Sequence, residues 1–182
     1  DITRTIAIGT PPKGAVAAYS HVLQSLIHLA VAKFPEGTNG KQLDAIARAP
    51  LWAAGLDFAH GTGHGVGHVL SVHEGPASIS KRGDVALGAG MVLSNEPGYY
   101  QTGDWGIRIE NLIVVTSVKQ TGFLEFETIT LCPLDRRLID KTRLDAGEIE
   151  WVDRYHRAVY EQLHPHLSPM AKSWLEAACR QL

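Results

Sequence analysis

The sequence contains little cysteine. Only Cys132 and Cys179 occur in a chain of 182 residues, so one pair at most could form and no disulfide framework exists. Apolar neighbours surround both thiols, which is typical of reduced core cysteines in a reducing compartment. Cysteine usage therefore favours a cytoplasmic protein.

The sequence also lacks an excess of charge of either sign. It has 17 Lys and Arg residues against 19 Asp and Glu residues, with a formal net charge of -2. The basic residues are scattered, so neither nucleic acid nor anionic membrane is an expected partner. With 45% hydrophobic residues, the composition predicts one soluble domain with a sizeable core.

No hydrophobic run is long enough to cross a bilayer. The longest, Leu26 to Phe34, is interrupted by His28 and Lys33. The chain opens with Asp-Ile-Thr-Arg-Thr-Ile-Ala-Ile, which has no initiator Met and which predicts a strand over Ile2 to Ile8. A domain that opens within a strand is expected to be a piece of a longer protein.

Hydrophobic periodicity predicts an α+β fold. Thr10 and Pro11 are expected to cap and begin the first helix. The first helix is predicted to begin at Pro11, to bury an apolar stripe whose last member is Ala30, and to continue until Pro35, Glu36 and Gly37 stop it. Further helices are predicted around Leu43, Ile46 and Ala47 with a break or kink near Pro50, over Ile149 to Leu163, and from Ser168 and Pro169 onward. Leu51 and Trp52 are expected to pack on the first helix. Strands are predicted over Met91 to Glu96, Gly106 to Val115 and Leu124 to Cys132. Successive strands after two helices predict a mainly antiparallel sheet covered by helices.

Histidine and glycine alternate in one segment, His60-Gly-Thr-Gly-His64-Gly-Val-Gly-His68, and His73 follows. Glycines let the backbone bend sharply and let an ion or substrate approach closely, as a site requires. A single histidine is more often an ordinary polar residue. That interpretation is favoured for His68, whereas His60, His64 and His73 are candidate functional residues.

Two carboxylates occur in apolar strands, Glu96 after Met91-Val-Leu-Ser-Asn and Glu110 within Gly-Ile-Arg-Ile-Glu-Asn-Leu-Ile-Val-Val. A buried glutamate needs a positive partner, because an unpaired buried charge costs several kcal/mol. Period two places Arg108 and Glu110 on one face, so a structural ion pair is the alternative interpretation. It does not explain Glu96 or the histidines.

One imidazole combined with several carboxylates suits Mn, Co or Fe(II) better than structural zinc. Two such ions can hold a hydroxide at neutral pH and polarise a carbonyl, which is the chemistry of amide hydrolysis. A third carboxylate is then required. Asp1 is the candidate, because Asp is disfavoured in strands.

Four segments together resemble one family: His-Gly-Thr-Gly-His-Gly-Val-Gly, Val-His-Glu-Gly-Pro, Asn-Glu-Pro-Gly-Tyr-Tyr and Gly-Ile-Arg-Ile-Glu-Asn. They resemble the Xaa-Pro aminopeptidases (aminopeptidase P) of metallopeptidase family M24, which have the pita-bread fold. The resemblance implies a partial catalytic domain at residues 1–122 and a C-terminal module, one strand plus helices, at residues 123–182. It also implies cytoplasmic peptide substrates with proline at the second position and a homodimeric parent protein.

The resemblance assigns roles by position. His64 would be the histidine ligand, and Glu96, Glu110 and Asp1 the carboxylate ligands, of two divalent ions, with Mn(II) favoured and Co, Fe or Zn as alternatives. His60 and His73 would bind substrate and shuttle protons, and Arg108 would orient neighbouring groups. A metal-bridging hydroxide would be the nucleophile.

The sequence departs from the family pattern at its start. The family has another aspartate ligand about ten residues before the position of Asp1 and a further histidine upstream, so this chain carries four of five expected ligands and is expected to be impaired or inactive by itself. Two alternatives remain for the parent protein. One is a prolidase, which cleaves Xaa-Pro dipeptides with nearly the same ligands, and the other is a pita-bread protein that binds peptides without catalysis.

Overall fold

The computed structural model describes residues 1–69, 71–119 and 122–182. The helices are α1 (Ala15–Ala30), α2 (Gly40–Ala53), α3 (Ala146–Leu163) and α4 (Pro169–Ala178), with short 3-10 turns at Arg136–Leu138, Lys141–Arg143 and His164–His166. The strands are β1 (Lys33–Pro35), β2 (Gly63–His64), β3 (Ser78–Ile79), β4 (Val92–Asn95), β5 (Gly98–Gln101), β6 (Trp105–Arg108), β7 (Asn111–Val118) and β8 (Phe123–Thr128). Among the described residues, no helix combines the length and apolar character that a membrane span requires.

The chain forms two compact units. The first comprises residues 1–3 and 21–130, and the second comprises residues 4–20 and 131–182. The first unit holds the sheets and every residue that the sequence singles out as functional. The division at 122 and 123 into catalytic domain and C-terminal module stays a prediction.

The core of the first unit is a four-stranded antiparallel sheet with the strand order β1, β8, β7, β4. Apolar side chains of α1, α2 and the sheet form one buried cluster: Leu29, Phe34, Leu43, Ala47, Ala77, Ile79, Leu87, Leu93, Ile113, Val115, Leu124 and Phe126. Two-stranded antiparallel pairs, β2 with β3 and β5 with β6, complete the unit. The predicted α+β class with a mainly antiparallel sheet is confirmed.

The predicted strand Gly106 to Val115 divides into two. Its first half is β6, which pairs with β5, and its second half is β7, which pairs with β4 and β8. Between them the amide of Ile109 donates to the carbonyl of Pro97 at 3.3 Å, and Glu110 forms an isolated bridge with Thr3. The change of partner places the Glu110 side chain at a junction of three chain segments.

The prediction of a strand over Ile2 to Ile8 is wrong, apart from the bridge at Thr3. Polar groups of the segment are used outside any ladder: the Arg4 side chain donates to the carbonyl of Cys132 at 2.9 Å, and the amide of Ala7 donates to the Asp135 carboxylate at 2.8 Å. The predicted cap at Thr10 is also wrong. Helix α1 begins at Ala15, because Gly14 has a φ of 86°, which no right-handed helix can include.

Helix α2 is not broken at Pro50 and continues to Ala53. Leu43, Ala47 and Leu51 are buried as predicted, but Ile46 is 40% and Trp52 48% exposed. The buried side of this helix also carries Asp44 and Arg48, so its inner face is partly polar. The predicted inward packing of Ile46 and Trp52 is therefore wrong, since polar residues take part of the inner face.

The other two predicted strands are shorter than expected. The strand predicted over Met91 to Glu96 is confined to β4, and the strand predicted over Leu124 to Cys132 ends with β8 at Thr128.

In the second unit, Asp145 caps α3 with a capping box, and Ser168 caps α4 with Pro169 at its first turn, as predicted for α4. Leu175 is buried, whereas Trp174 is 62% exposed. Cys132 and Cys179 are free thiols.

Candidate metal centre

Three sheet ends bring the predicted ligands together. His64 lies in β2, Glu96 follows β4 directly, and Glu110 lies between β6 and β7. The bridge between Thr3 and Glu110 ties the segment carrying Asp1 to the same place. Residues far apart in sequence therefore meet at one point of the first unit.

The ligand atoms are close together. His64 Nε2 lies 3.2 Å from Glu96 Oε1 and 3.3 Å from Asp1 Oδ2. His64, Glu96 and Glu110 each offer one donor atom within 4.8 Å of the others, and so do Asp1, His64 and His73. Both groups share His64, so the donors form one continuous cluster.

The tautomer of His64 follows from the backbone of the next residue, Gly65. Its Nδ1 lies 3.0 Å from the carbonyl oxygen of Gly65, and because a carbonyl oxygen can only accept, Nδ1 carries the hydrogen. The lone pair is then on Nε2, the atom that faces the carboxylates. An imidazole oriented through its other nitrogen is the usual arrangement of a histidine metal ligand.

Ser94 supports the buried Glu96. The Ser94 hydroxyl accepts from the amide of His64 and donates to Glu96 Oε1, both at 3.0 Å. The amide of Glu96 donates to the carbonyl of Thr62 at 2.7 Å. The predictions did not include Ser94, although a serine within the apolar stretch that leads to Glu96 was a visible signal.

Glu110 is 3% exposed and is held by Thr3. The Thr3 hydroxyl donates a short hydrogen bond to Glu110 Oε2, and the Glu110 amide donates to the Thr3 carbonyl at 3.0 Å. This pairing leaves Glu110 in a fixed position beside His64. Thr3 was also not predicted, because the pattern indicated only a strand there.

Arg108 lies against Glu96, with Nη1 3.6 Å from Oε2. Its Nε donates to the Tyr100 hydroxyl at 3.0 Å, and that hydroxyl lies 2.7 Å from His60 Nε2. The alternative interpretation, a structural pair of Arg108 with Glu110 alone, does not account for these contacts. Arg108 links the carboxylate cluster to His60 through Tyr100, which the sequence reasoning missed.

His60 is held as a neutral acceptor. Its Nδ1 donates to the Gly61 carbonyl at 2.8 Å, so Nε2 accepts from the Tyr100 hydroxyl. Burial lowers the pKa of His60 below its ordinary value, and the charge of Arg108 acts in the same direction. A neutral imidazole at pH 7 can accept a proton at Nε2.

His73 lies at the other side of His64. The two rings meet edge to face with centroids 4.2 Å apart, and the loop that carries His73 is closed by a hydrogen bond from the Glu74 amide to the Gly65 carbonyl at 2.8 Å. His68 is exposed and belongs to neither donor group among the described residues. Residue 70 of the predicted Gly- and His-rich stretch lies outside the described residues.

Gly63 shows why glycine alternates with histidine here. A Cβ at Gly63 would lie 1.9 Å from the carbonyl oxygen of Ser94, which is backbone and cannot move aside. Glycine therefore lets β2 approach β4 closely enough for His64 to reach Glu96.

Two models of known protein families match different parts of the chain. A model of metallopeptidase family M24 matches residues 1–117, and a model of the C-terminal region of peptidase M24 matches residues 122–182. The chain belongs to metallopeptidase family M24. The predicted family and the pita-bread fold class are thereby confirmed.

Several named relatives are similar in sequence over nearly the whole of this chain. A probable Xaa-Pro aminopeptidase P of Coprinopsis cinerea is 47% identical over 97% of this chain and 30% of its own length, and aminopeptidase P1 of Arabidopsis thaliana is 44% identical over 98% of this chain and 29% of its own length. The chain therefore spans about 30% of the length of the curated relatives it matches.

Solved structures show the same similarity. The X-prolyl aminopeptidase of Caenorhabditis elegans, described as a cytosolic enzyme with a di-nuclear active site, has a TM-score of 0.93 and 42% identity, covering all of this chain and 31% of its own. A prolidase from Pyrococcus furiosus has a TM-score of 0.61 and 35% identity, covering 70% of this chain and 35% of its own.

Proposed function

We propose that the protein, at its full natural length, is a metal-dependent Xaa-Pro aminopeptidase that hydrolyses the bond between an N-terminal residue and a following proline. The observation that carries the proposal is the cluster of Asp1, His64, Glu96 and Glu110 donor atoms. The carboxylates of Glu96 and Glu110 are buried with oxygens within 4.8 Å of each other, and such a pair repels unless cations neutralise it. The family membership and the similarity to aminopeptidases P supply the reaction.

The donor set fits a pair of divalent ions. It offers one imidazole lone pair at His64 Nε2 and several carboxylate oxygens, which suits Mn(II) best, with Co, Fe or Zn as alternatives. The C. elegans enzyme, described as di-nuclear, supports the count of two. When bound, the ions would supply a nucleophile at neutral pH by lowering the pKa of water and would polarise the scissile carbonyl.

The surrounding residues then have separable roles. Glu96 and Glu110 would hold the ions, and the two oxygens of Glu96 are oriented by the Ser94 hydroxyl and by Arg108. His60 and His73 flank the cluster and exchange protons with the substrate. Arg108 orients Glu96 and, through Tyr100, His60.

The proposal includes the setting of the enzyme. We infer a cytoplasmic location, supported by the cytosolic C. elegans enzyme and the free thiols. We also infer a homodimer, and peptides with proline at the second position as the substrates. No nucleic acid or membrane partner is proposed.

A prolidase is the second candidate, because a solved prolidase shares the fold over 70% of the chain. The match of the C-terminal M24 region at residues 122–182 favours the aminopeptidase. The P. furiosus prolidase covers 70% of the chain, whereas the C. elegans aminopeptidase covers all of it.

Three peptides separate these functions in one experiment. The full-length protein, freed of metal and then supplied with Mn(II), would be assayed on Ala-Pro-Ala, on Ala-Pro and on Ala-Ala-Ala. The proposal expects release of alanine from Ala-Pro-Ala well above the other two. Preference for the dipeptide would establish the prolidase, and absence of hydrolysis with tight peptide binding would establish a non-catalytic binding protein.

A further inference from the structure

Arg48 is a buried charge that the metal centre does not directly use. It lies in α2 and is 1% exposed, and a guanidinium stays charged in proteins. Its Nε donates to Asp44 Oδ2 at 2.8 Å, one helical turn earlier. Arg48 and Asp44 therefore form a buried ion pair in the interior of the first unit.

The other end of Arg48 holds the loop that precedes the metal ligand. Its Nη1 donates to Asp57 Oδ1 and to the carbonyl of Phe58, and its Nη2 donates to the carbonyl of His60, each at 2.7 Å. The guanidinium lies 3.9 Å from the centroid of the Phe58 ring, which in turn contacts the His60 ring at 4.8 Å. One side chain thus fixes the backbone and one face of His60.

Asp44 extends the same link to the carboxylate cluster. Its Oδ1 accepts from the Thr62 hydroxyl at 2.6 Å. The carbonyl of Thr62 accepts from the amide of Glu96 at 2.7 Å. The two oxygens of Asp44 therefore connect Arg48 and His60 with the segment that carries Glu96.

Stability alone does not account for this arrangement. A buried ion pair is often no more stabilising than apolar side chains of similar volume, because desolvation offsets the attraction. A rigid guanidinium fork, however, imposes geometry on several acceptors at once. Residues 56–62 form no helix or strand, so the path of this segment depends on such side-chain bonds.

We propose that Arg48, held in place by Asp44, is a positioning residue that keeps His60 in the geometry required for catalysis, without touching substrate or metal. This inference rests on the proposed aminopeptidase function. Arg48 acts through His60, so its removal matters only while the His60 imidazole is present.

The test is a double-mutant cycle in the full-length Mn(II) enzyme with Arg48→Lys and His60→Ala. Lysine keeps the charge but cannot form the fork. Arg48→Lys alone is expected to lower kcat roughly 10- to 100-fold, because the His60 imidazole is misplaced. The metal content is expected to stay unchanged. In the His60→Ala background, Arg48→Lys is expected to lower kcat by less than about a further twofold, because both substitutions act on the same imidazole.

A matched control is Arg137→Lys. Arg137 also pairs with a carboxylate, Asp135 at 2.7 Å, but at the surface of the second unit. This change is expected to leave kcat unaltered. The proposal would be overturned if the double variant lost kcat by the full product of the two single losses. It would also be overturned if the Arg48→Lys enzyme had a normal kcat.

A spectroscopic readout separates this inference from the proposed function. The nitrogen-15 shifts of the His60 ring report its tautomer, which is Nδ1–H in the wild-type geometry. Arg48→Lys is expected to mix the tautomers, and this result requires no hydrolysis. If the wild-type protein cleaves nothing, the proposed function fails, whereas an unchanged His60 signal in Arg48→Lys overturns the positioning role.

If Arg48→Lys does not fold, Asp57→Ala replaces it. Asp57 has a side chain 44% exposed, which bonds Arg48 through Nη1 and lies 3.9 Å from Lys81 Nζ at the surface, and Arg48 keeps its bonds to Asp44, Phe58 and His60 when Asp57 is removed. A kcat decrease of about threefold that disappears in the His60→Ala background supports the proposal. An equal decrease in both backgrounds contradicts it.

Discussion

Histidines of the two units differ in what their ring nitrogens contact. In the second unit, His156 of α3 is fully buried, and its Nε2 accepts from the amide of Leu134 at 3.0 Å. In the first unit, the backbone occupies Nδ1 of His64, and Nε2 faces the carboxylates of Asp1 and Glu96. The same side chain is structural where a backbone amide takes its lone pair and available to a cation where carboxylates surround that lone pair.

The electrostatic environments differ in the same sense. Burial lowers the pKa of His156 to about 4, with the charge of Arg136 adding to the effect. His156 is therefore a neutral packing residue at pH 7. The comparison predicts that changing His64 removes activity and leaves stability, while changing His156 does the reverse.

The largest expected effect is that of His64→Gln on activity. Loss of the imidazole lone pair should lower kcat/KM on the order of 10³-fold, above the 10- to 100-fold cost of losing a supporting partner of a ligand. Metal content, measured by mass spectrometry of the desalted protein, should fall in parallel. His68→Gln is the control, because His68 is exposed and outside the donor groups. Full activity of the His64→Gln variant would show that His64 is not a metal ligand.

His156→Ala tests the other side of the comparison. It leaves the Leu134 amide without its acceptor and opens a cavity, so the free energy of unfolding should fall by about 3 kcal/mol. Urea unfolding measures this change, and His166→Ala, at an exposed histidine of the same unit, should stay within about 0.5 kcal/mol. Activity per folded molecule should be normal, and its loss would show that His156 is more than structural.

Acid should weaken the second unit through His156. The folded pKa of about 4 lies below the ordinary 6.5, so the unfolded state binds more protons between these values and stability falls as pH drops through that window. The contribution amounts to about 3 kcal/mol by pH 4. Urea unfolding at pH 7 and at pH 4 measures it, and the pH dependence should flatten in His156→Ala. An equally steep dependence in that variant would assign the acid sensitivity elsewhere.

Tyr100→Phe should produce the smallest effect. It removes the hydroxyl that joins Arg108 and His60 while keeping the ring, so both hydrogen bonds of that hydroxyl are lost and kcat should fall by about three- to tenfold, a net effect near 1 kcal/mol. Tyr99→Phe is the neighbouring control, since its hydroxyl donates to Gln101. Equal kcat values for the two variants would mean that the link through Tyr100 has no role in catalysis.

The sequence predicted the donors because each violates a local rule. Glutamates in apolar strands and histidines between glycines require an explanation that packing does not supply. His64, Glu96 and Glu110 do lie together in the structure. Their roles as ligands stay a prediction until metal is measured.

Apart from Ser94, the supporting residues could not be predicted, because nothing in the local sequence distinguishes them. Thr3 is one of several threonines in its segment, and Tyr100 is one of two adjacent tyrosines. Arg48 reads as an ordinary residue on the polar side of an amphipathic helix, yet it is buried with Asp44. Contacts between residues distant in sequence decide such cases.

The most direct measurement is anomalous diffraction at the manganese edge from crystals of the full-length protein grown with Mn(II). Two anomalous peaks are expected at the cluster of Asp1, His64, Glu96 and Glu110, the first of them at His64 Nε2. Diffraction from the His64→Gln variant should lose the first peak. Absence of anomalous density at this cluster in the wild-type protein would contradict the account and leave the carboxylates as structural residues.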